Sequence, residues 1–302
     1  MIRIIAARLG QMAVTLALLS FVMFLLIGLM PGDPIDLAIA GDPRLTAEDA
    51  MRLRALHGLD QPLTARYLAW VSALLHGQFG YSRLFAQPVA DVIAPALVST
   101  LVLLGAALAL AGGIGLALGL LAAARPWAAP VVDAVAILGQ SAPSFWLGIL
   151  LIILFAVTLG WLPAGGSGEG GLGDALRHLA LPVATLAIAN LAAYARHSAA
   201  ALGATLREPW ITAARARGNA EARVMLRHAL PNAAVPILQV AALDAGALVG
   251  GALITETLFA RPGMGKLIYD AVMGNDTNLA LVALLLAALV TMLATLAADL
   301  AQ

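Results

Sequence analysis

Cysteine is absent from the 302 residues. That single absence excludes disulfides, thiolate metal sites and cysteine nucleophiles together. Charge is scarce as well: Asp, Glu, Lys and Arg make up 11% of the chain, with 17 residues of each sign. A formal net charge of zero gives no bulk attraction to nucleic acid or to acidic substrates. Histidine is limited to five residues, none spaced i, i+4 as paired metal ligands. What fills the chain instead is apolar. It is 62% hydrophobic, with a mean hydropathy of +0.93, far above a soluble domain. Several windows exceed the roughly 20 apolar residues that cross a bilayer.

Arg3 and Arg8 precede an apolar run from about Leu9 to Met30. Ala38 and Ala40 resemble a signal-peptide cleavage site, but the run is longer than the roughly 7–15 apolar residues of a signal core. It is therefore read as a retained first span, residues 1–30. Residues 31–92 change character, mixing Asp33, Asp36, Asp42, Glu48, Asp49, Asp60 and Asp91 with Arg44, Arg52, Arg54, Arg66 and Arg83. Thr46 three residues before Asp49 resembles a capping box. Leu53, Leu56 and Leu59 suggest a packed helical face beyond it. This is a small extracytoplasmic segment, too short for an independent enzyme.

Residues 93–302 hold five further spans. The second runs from about Ile93 to Ala124, where Gly115 and Gly119 have the spacing that permits close helix packing. The third covers about Val131 to Leu159. Leu181 and Pro182 open the fourth, which ends near Arg196; the fifth is about Pro236 to Leu258, and the last about Leu279 to Leu300. Both termini are then cytoplasmic. Arg3, Arg8, Arg125 and Arg196 fall inside with the basic loop described below, while the short outer loops hold only Arg177, Arg261 and Lys266. The glycine-rich stretch from Gly165 to Gly173 has no Gly-Lys-Ser/Thr after it, so no phosphate cradle is supported.

Polar groups at membrane depth mark candidate pathway positions. Gln140, Ser141, Pro143 and Ser144 interrupt the third span, where a proline needs neighbouring helices or water to satisfy the freed carbonyl. Asp244 lies near the middle of the fifth span and needs protein or water around it. Glu256 lies about 18 Å further along that helix, near the expected outer mouth within reach of water. Pathway lining and plain packing both remain open for this pair.

The chain is organised around a basic interruption between the fourth and fifth spans, residues 206–235. Pro209 suits the first turn of a helix, and Gly218 suits a helix end with left-handed backbone. Asn219 is expected to cap a second helix carrying Val224, Met225, Leu226, Ala229 and Leu230, and Pro231 to end it. Arg207, Arg215, Arg217, Arg223 and Arg227 place the loop on the cytoplasmic side. The small pair Ala213 and Ala214 leaves room for another surface to approach.

Thr212-Ala213-Ala214, then Gly218, then Leu230-Pro231, resembles the Glu-Ala-Ala…Gly…Leu-Pro loop of ABC-importer permeases. Thr212 stands where the general pattern has glutamate. The run Ala214 to Gly218 and the run Arg227-His228-Ala229-Leu230 are similar to the peptide and nickel branch of that family. Further likeness lies in Pro31 to Pro34, Gly58 to Pro62, Tyr67 to Trp70, Gly77 to Ser82, and Glu256…Phe259…Pro262-Gly263-Met264-Gly265. Gln78 departs from the acidic residue usual in that branch. The usual Asp-Pro-Arg tail is absent, as a trimmed C-terminus would leave it.

The resemblance implies an all-α integral membrane protein of six transmembrane helices with the ABC type I importer permease fold, in the bacterial inner membrane. It implies that residues Glu208, Thr212, Ala213, Ala214, Arg215, Arg217, Gly218, Arg227, His228, Leu230 and Pro231 form the loop that docks on an ATPase. It further implies a second homologous permease subunit (a different chain), two ABC ATPase subunits that hold ATP and Mg, and an extracytoplasmic substrate-binding protein. The cargo implied is di- or oligopeptides, with nickel or a metal chelate as the alternative; this chain itself would bind no cofactor and no metal. The remote alternative, an intramembrane enzyme, lacks support, since Ser141, Ser144, His178, His197 and Asp244 fit no nucleophile or zinc motif.

Overall fold

Hydrocarbon offers no water to backbone amides and carbonyls, so long apolar stretches fold as helices that satisfy these groups internally. The computed structural model describes residues 2–29, 61–125 and 127–300. Side chains at 140, 141 and 240–251, Asp244 among them, lie outside that description. So do the Pro31 to Pro34 motif, the Thr46 helix start and the leucines at 53, 56 and 59.

In chain order the elements are α1 (Ile2–Gly28), α2 (Leu63–Leu75), the two-residue strands β1 (Tyr81–Ser82) and β2 (Gln87–Pro88), α3 (Val89–Ala124), α4 (Ala128–Ser141) and α5 (Ser144–Leu151). A π-helical stretch, Ile152–Thr158, continues α5. Then come α6 (Leu172–Thr205), α7 (Pro209–Ala216), the single turn α8 (Glu221–Arg223), a second π-helical stretch at Val224–Ala229, α9 (Leu230–Leu258), α10 (Met264–Met273) and α11 (Thr277–Leu300). Among the described residues, four helical segments are long and apolar enough to cross a membrane: Ile5–Gly28, Val89–Ala124, Leu172–Thr205 and Thr277–Ala297. Among the described residues the strands are confined to a small antiparallel hairpin, which pairs Tyr81 with Pro88 and Ser82 with Gln87.

The chain divides into two compact units. The first comprises Met1–Pro95 and Leu267–Leu289. Within it, α2 packs on α1 through an aromatic cluster: the Tyr67 ring meets Phe21 and Phe24 edge-on at 5.2 and 5.6 Å, and Trp70 lies 5.8 Å from Phe24. Tyr67 also keeps its polar end satisfied, 2.8 Å from the Ser20 hydroxyl and donating to the Ala17 carbonyl at 3.2 Å. The rest of α1 leaves Val14, Leu18 and Leu26 about 60% exposed, an apolar flank suited to lipid. In the same unit Asp276 caps α11 by accepting from the Leu279 amide at 3.2 Å. Its other oxygen accepts from the Ser82 hydroxyl at 2.6 Å and the Leu84 amide at 2.9 Å, so one carboxylate ties the hairpin to a helix start 194 residues on.

The second unit, Ala96–Lys266 and Val290–Gln302, is built around α6. Leu103, Leu104 and Ala107 of α3 pack on Val183 and Leu186 of α6 and on Ala252 of α9. Ala122, Val132 and Ala195 join α3, α4 and α6. A Cβ at Gly115 or Gly119 would overlap Tyr194 or Ser198, so the GxxxG spacing gives α3 its close approach to α6.

Two expectations about the spans are corrected here. The fourth begins at Leu172 and runs to Thr205, with Pro182 buried inside it rather than at its start; a membrane helix tolerates an interior proline when neighbours satisfy the freed carbonyl. The third is not one helix. Ala142 is extended (ψ 130°), as the residue before a proline tends to be, and Pro143 (ψ 137°) separates α4 from α5.

Candidate functional site

The basic interruption folds as an elbow. Glu208 is extended at ψ 142°, and Pro209 then starts α7, where its missing amide hydrogen leaves nothing unpaired. After Arg217, Gly218 turns left-handed with φ +79°, a conformation that costs glycine nothing. Pro209 and Gly218 thus fall where the sequence put them. Asn219 does not cap the following helix. Its side-chain amide donates back to the Ala214 carbonyl at 2.9 Å, and Ala220 precedes α8 instead. The first helix leaves terminal carbonyls orphaned within reach of Asn219, so its amide seals that end.

Pro231 is the second correction at the elbow. The chain does not stop there but runs unbroken into α9, with Pro231 in its first turn. The preceding turns are π-helical, and the Leu230 amide bonds the Met225 carbonyl five residues back. Wider turns relieve the clash of the ring with the carbonyl four residues back. The Asn232 side chain covers the nearby His228 carbonyl at 2.8 Å.

Apolar residues hold the elbow in place. Ile211 and Ala214 of α7 are buried at 0% and 1% exposure. Ile211 joins Leu202 of α6, Val224, Met225, Ala229 and Ala233 in one cluster, with Leu120 and Ala123 of α3 packed against it. The opposite face of α7 is open. Glu208, Thr212, Ala213, Arg215, Arg217 and Gly218 are exposed, as is Trp210 at 40%. Arg215 spans the bend with a two-pronged bond to Glu221, at 2.6 and 3.1 Å. Hydrogen bonding from Arg215 holds the Glu221 carboxyl below the usual carboxylate range. Arg227 and Pro231 are exposed, and His228 and Leu230 half-buried.

A second constellation lies in the turn between α9 and α10. Glu256 is fully buried within the chain, not at a wet mouth as its position along the helix suggested. Its carboxylate accepts from the Thr100 hydroxyl at 2.5 Å, the Gly265 amide at 2.7 Å and the Lys266 amide at 3.2 Å. The Thr100 oxygen in turn accepts from the Met264 amide at 2.8 Å. A Cβ at Gly263 would overlap the Glu256 carboxylate, so only glycine lets the turn close over it.

With this geometry in place, comparison with known proteins is decisive. The family described as "Binding-protein-dependent transport system inner membrane component" matches residues 115–302. Its companion, the N-terminal component of the same systems, matches residues 1–103. The chain belongs to this family. Among curated relatives, the di/tripeptide transport system permease protein DppB of Pseudomonas aeruginosa is 36% identical, over 99% of this chain and 96% of its own length. The oligopeptide transport system permease protein AppB of Bacillus subtilis is 31% identical over 93% of this chain and 90% of that protein. Among solved structures, the MetNI methionine ABC transporter in inward-facing conformations gives a TM-score of 0.59 at 21% identity, covering 70% of this chain and 95% of that one. That likeness concerns the fold alone: a type I importer permease fold. Membership makes the chain a multi-pass inner-membrane transport component, not an enzyme, and one that works with ATPase and binding-protein partners in general.

For this permease component the structure gathers residues 208–231 into the one elbow. It sets Pro143 and Ser144 at the break between α4 and α5, Pro143 exposed and Ser144 half-buried. Gln140 and Ser141 fall in the last turn of α4 and Asp244 within α9, their side chains outside the described residues. Sequence reasoning missed Thr100 and Asp276. Neither carries a local signal, because their partners lie 156 and 194 residues away.

Proposed function

We propose that this chain is the permease subunit of an ATP-driven importer and forms half of the translocation pathway for di- or oligopeptides. The elbow is the observation that carries this: a short helix held by Ile211 and Ala214 offers Trp210, Thr212, Ala213 and Arg217 to a partner. The relatives described above are named for peptides, which favours peptides over nickel or a metal chelate. Six spans are assigned, with residues 31–92 outside and both termini in the cytoplasm; the α4–α5 pair makes the third span and α9 the fifth. A second, homologous but different permease chain faces this one. Two ATPase subunits carry ATP and Mg, so this chain needs no cofactor.

In the mechanism that follows, a loaded binding protein docks on the outer surface formed by residues 31–91 and 259–278. ATP closes the ATPase pair beneath the elbow. Ile211 and Ala214 transmit that displacement, because their cluster joins α3, α6 and α9. Gln140, Ser141, Pro143, Ser144 and Asp244 line the path, where polar groups meet the passing backbone amides of a peptide.

The test is uptake into vesicles containing the full set of subunits and the binding protein. ATP-dependent accumulation of labelled di- and oligopeptides is expected. Accumulation of a nickel chelate with no peptide uptake would overturn the cargo assignment. Ser167→Cys should react with an impermeant thiol reagent from outside, and Ala220→Cys only from inside, in a chain with no native cysteine. Labelling of position 220 from outside would reverse the topology.

A further inference from the structure

The Glu256 carboxylate meets the first amides of α10. Its acceptors are used by Gly265 and Lys266, the second and third residues of that helix. An N-terminal cap is ordinarily given by the residue just before the helix, whose side chain accepts from an amide two or three places on. Here the acceptor comes from the helix before, with Thr100 of α3 as a third party. Thr100 donates to Glu256 and accepts from Met264, so one hydroxyl closes a ring of bonds among α3, α9 and the start of α10. Every member is buried except Lys266, which is half-buried. Arg261 is nearly buried beside this ring, and its amide bonds the Glu256 carbonyl at 2.8 Å.

We infer that Thr100 and Glu256 are a positioning pair: together they cap α10 from two other helices and hold its first turn. This rests on the reading of residues 259–278 as part of the dock for the binding protein. Three features support it. Among the described residues the carboxylate meets three donors, so it is matched to amide hydrogens and a hydroxyl rather than to a cargo. Gly263 is required for the turn to fold over it. Beyond the cap, α10 exposes Tyr269 at 47% and Met273 at 70%, side chains whose placement depends on how the first turn is held. The pair therefore sets how the binding protein is received, not how fast the transporter turns over once it is bound.

The experiment uses the complete transporter in lipid nanodiscs with its purified binding protein. Hydrogen exchange is read at residues 264–266 and ATP hydrolysis is followed as binding protein is added. In the unmodified protein these amides should exchange as slowly as those of the α9 interior; exchange at the rate of an open loop would overturn the cap. In Thr100→Val, which keeps the shape but loses the hydroxyl, exchange there should rise about tenfold, as expected for losing one net hydrogen bond. The half-saturating concentration of binding protein should rise while maximal hydrolysis holds, and Thr100→Ser should restore both. The double variant Thr100→Val with Glu256→Gln should be little worse than Glu256→Gln alone, because the two act as one network. Equal loss of maximal hydrolysis in every variant, or no rescue by serine, would overturn the positioning role. These outcomes stand apart from the cargo: slow exchange lost in Thr100→Val would establish the cap even if no peptide were taken up.

Discussion

The elbow and the α9–α10 turn solve the same problem by opposite means. In each, a short helix follows a long one in the chain. The elbow is held from inside by Ile211, Val224 and Met225, and its polar groups face outward. Its charge pair of Arg215 with Glu221 is 42% and 59% exposed. At the α9–α10 turn, polar groups hold the inside: Glu256 and Thr100 are buried and their bonds are consumed within the chain. Apolar anchoring leaves charge and amides free for a partner. Polar anchoring leaves nothing polar to offer but gives direction, since hydrogen bonds fix angles and dispersion contacts do not.

That contrast breaks most sharply at the two glycines. Gly263→Ala puts a methyl group onto a buried carboxylate and should cost about 3 kcal/mol through overpacking and lost bonds, read as a lower melting temperature or failure to accumulate. Near-normal melting would mean the carboxylate has somewhere else to go. At Gly218 a Cβ meets nothing within 4 Å, so only the φ of +79° opposes substitution. Gly218→Val should cost about 1–2 kcal/mol locally and abolish substrate-stimulated ATP hydrolysis while insertion stays normal. Normal stimulation would detach the elbow from coupling.

Two smaller changes sharpen the comparison. Ser82→Ala removes a donor to Asp276, the other carboxylate committed to inward bonds, and should lower stability by about 1 kcal/mol. Glu221→Gln removes only the exposed pair and should cost a few tenths of a kcal/mol at neutral pH. Because Arg215 depresses the Glu221 carboxyl, the pair's contribution is full above the ordinary carboxylate range and fades as pH falls through the lowered value. Melting curves of wild type and Glu221→Gln should therefore converge in acid; divergence would assign the effect to another group.

The sequence makes the elbow legible and the α9–α10 turn nearly illegible, for a physical reason. Pro209 and Gly218 act through their own backbone angles, so local rules place both. The apolar runs likewise declare helices without reference to any partner. Asn219 stands between two helix ends, and nothing local tells which one its amide seals. Pro231 ends a helix in water, yet here π turns absorb it. Glu256 can be suspected from its place in an apolar helix, but its burial depends on Thr100 and Gly263, one of them 156 residues away.

The π-helical stretch at Val224–Ala229 has a mechanical meaning for the elbow. It stores one residue more than α-helical winding would use. Letting that residue go would turn everything before it by about 100° around the axis of α9 and slide it about 1.5 Å. Val224, Met225 and Ala229 sit in the buried cluster only at the present count. The lever between α7 and α9 is thus notched rather than elastic: it holds its angle under a small push, and leaves it only by a whole residue at a time.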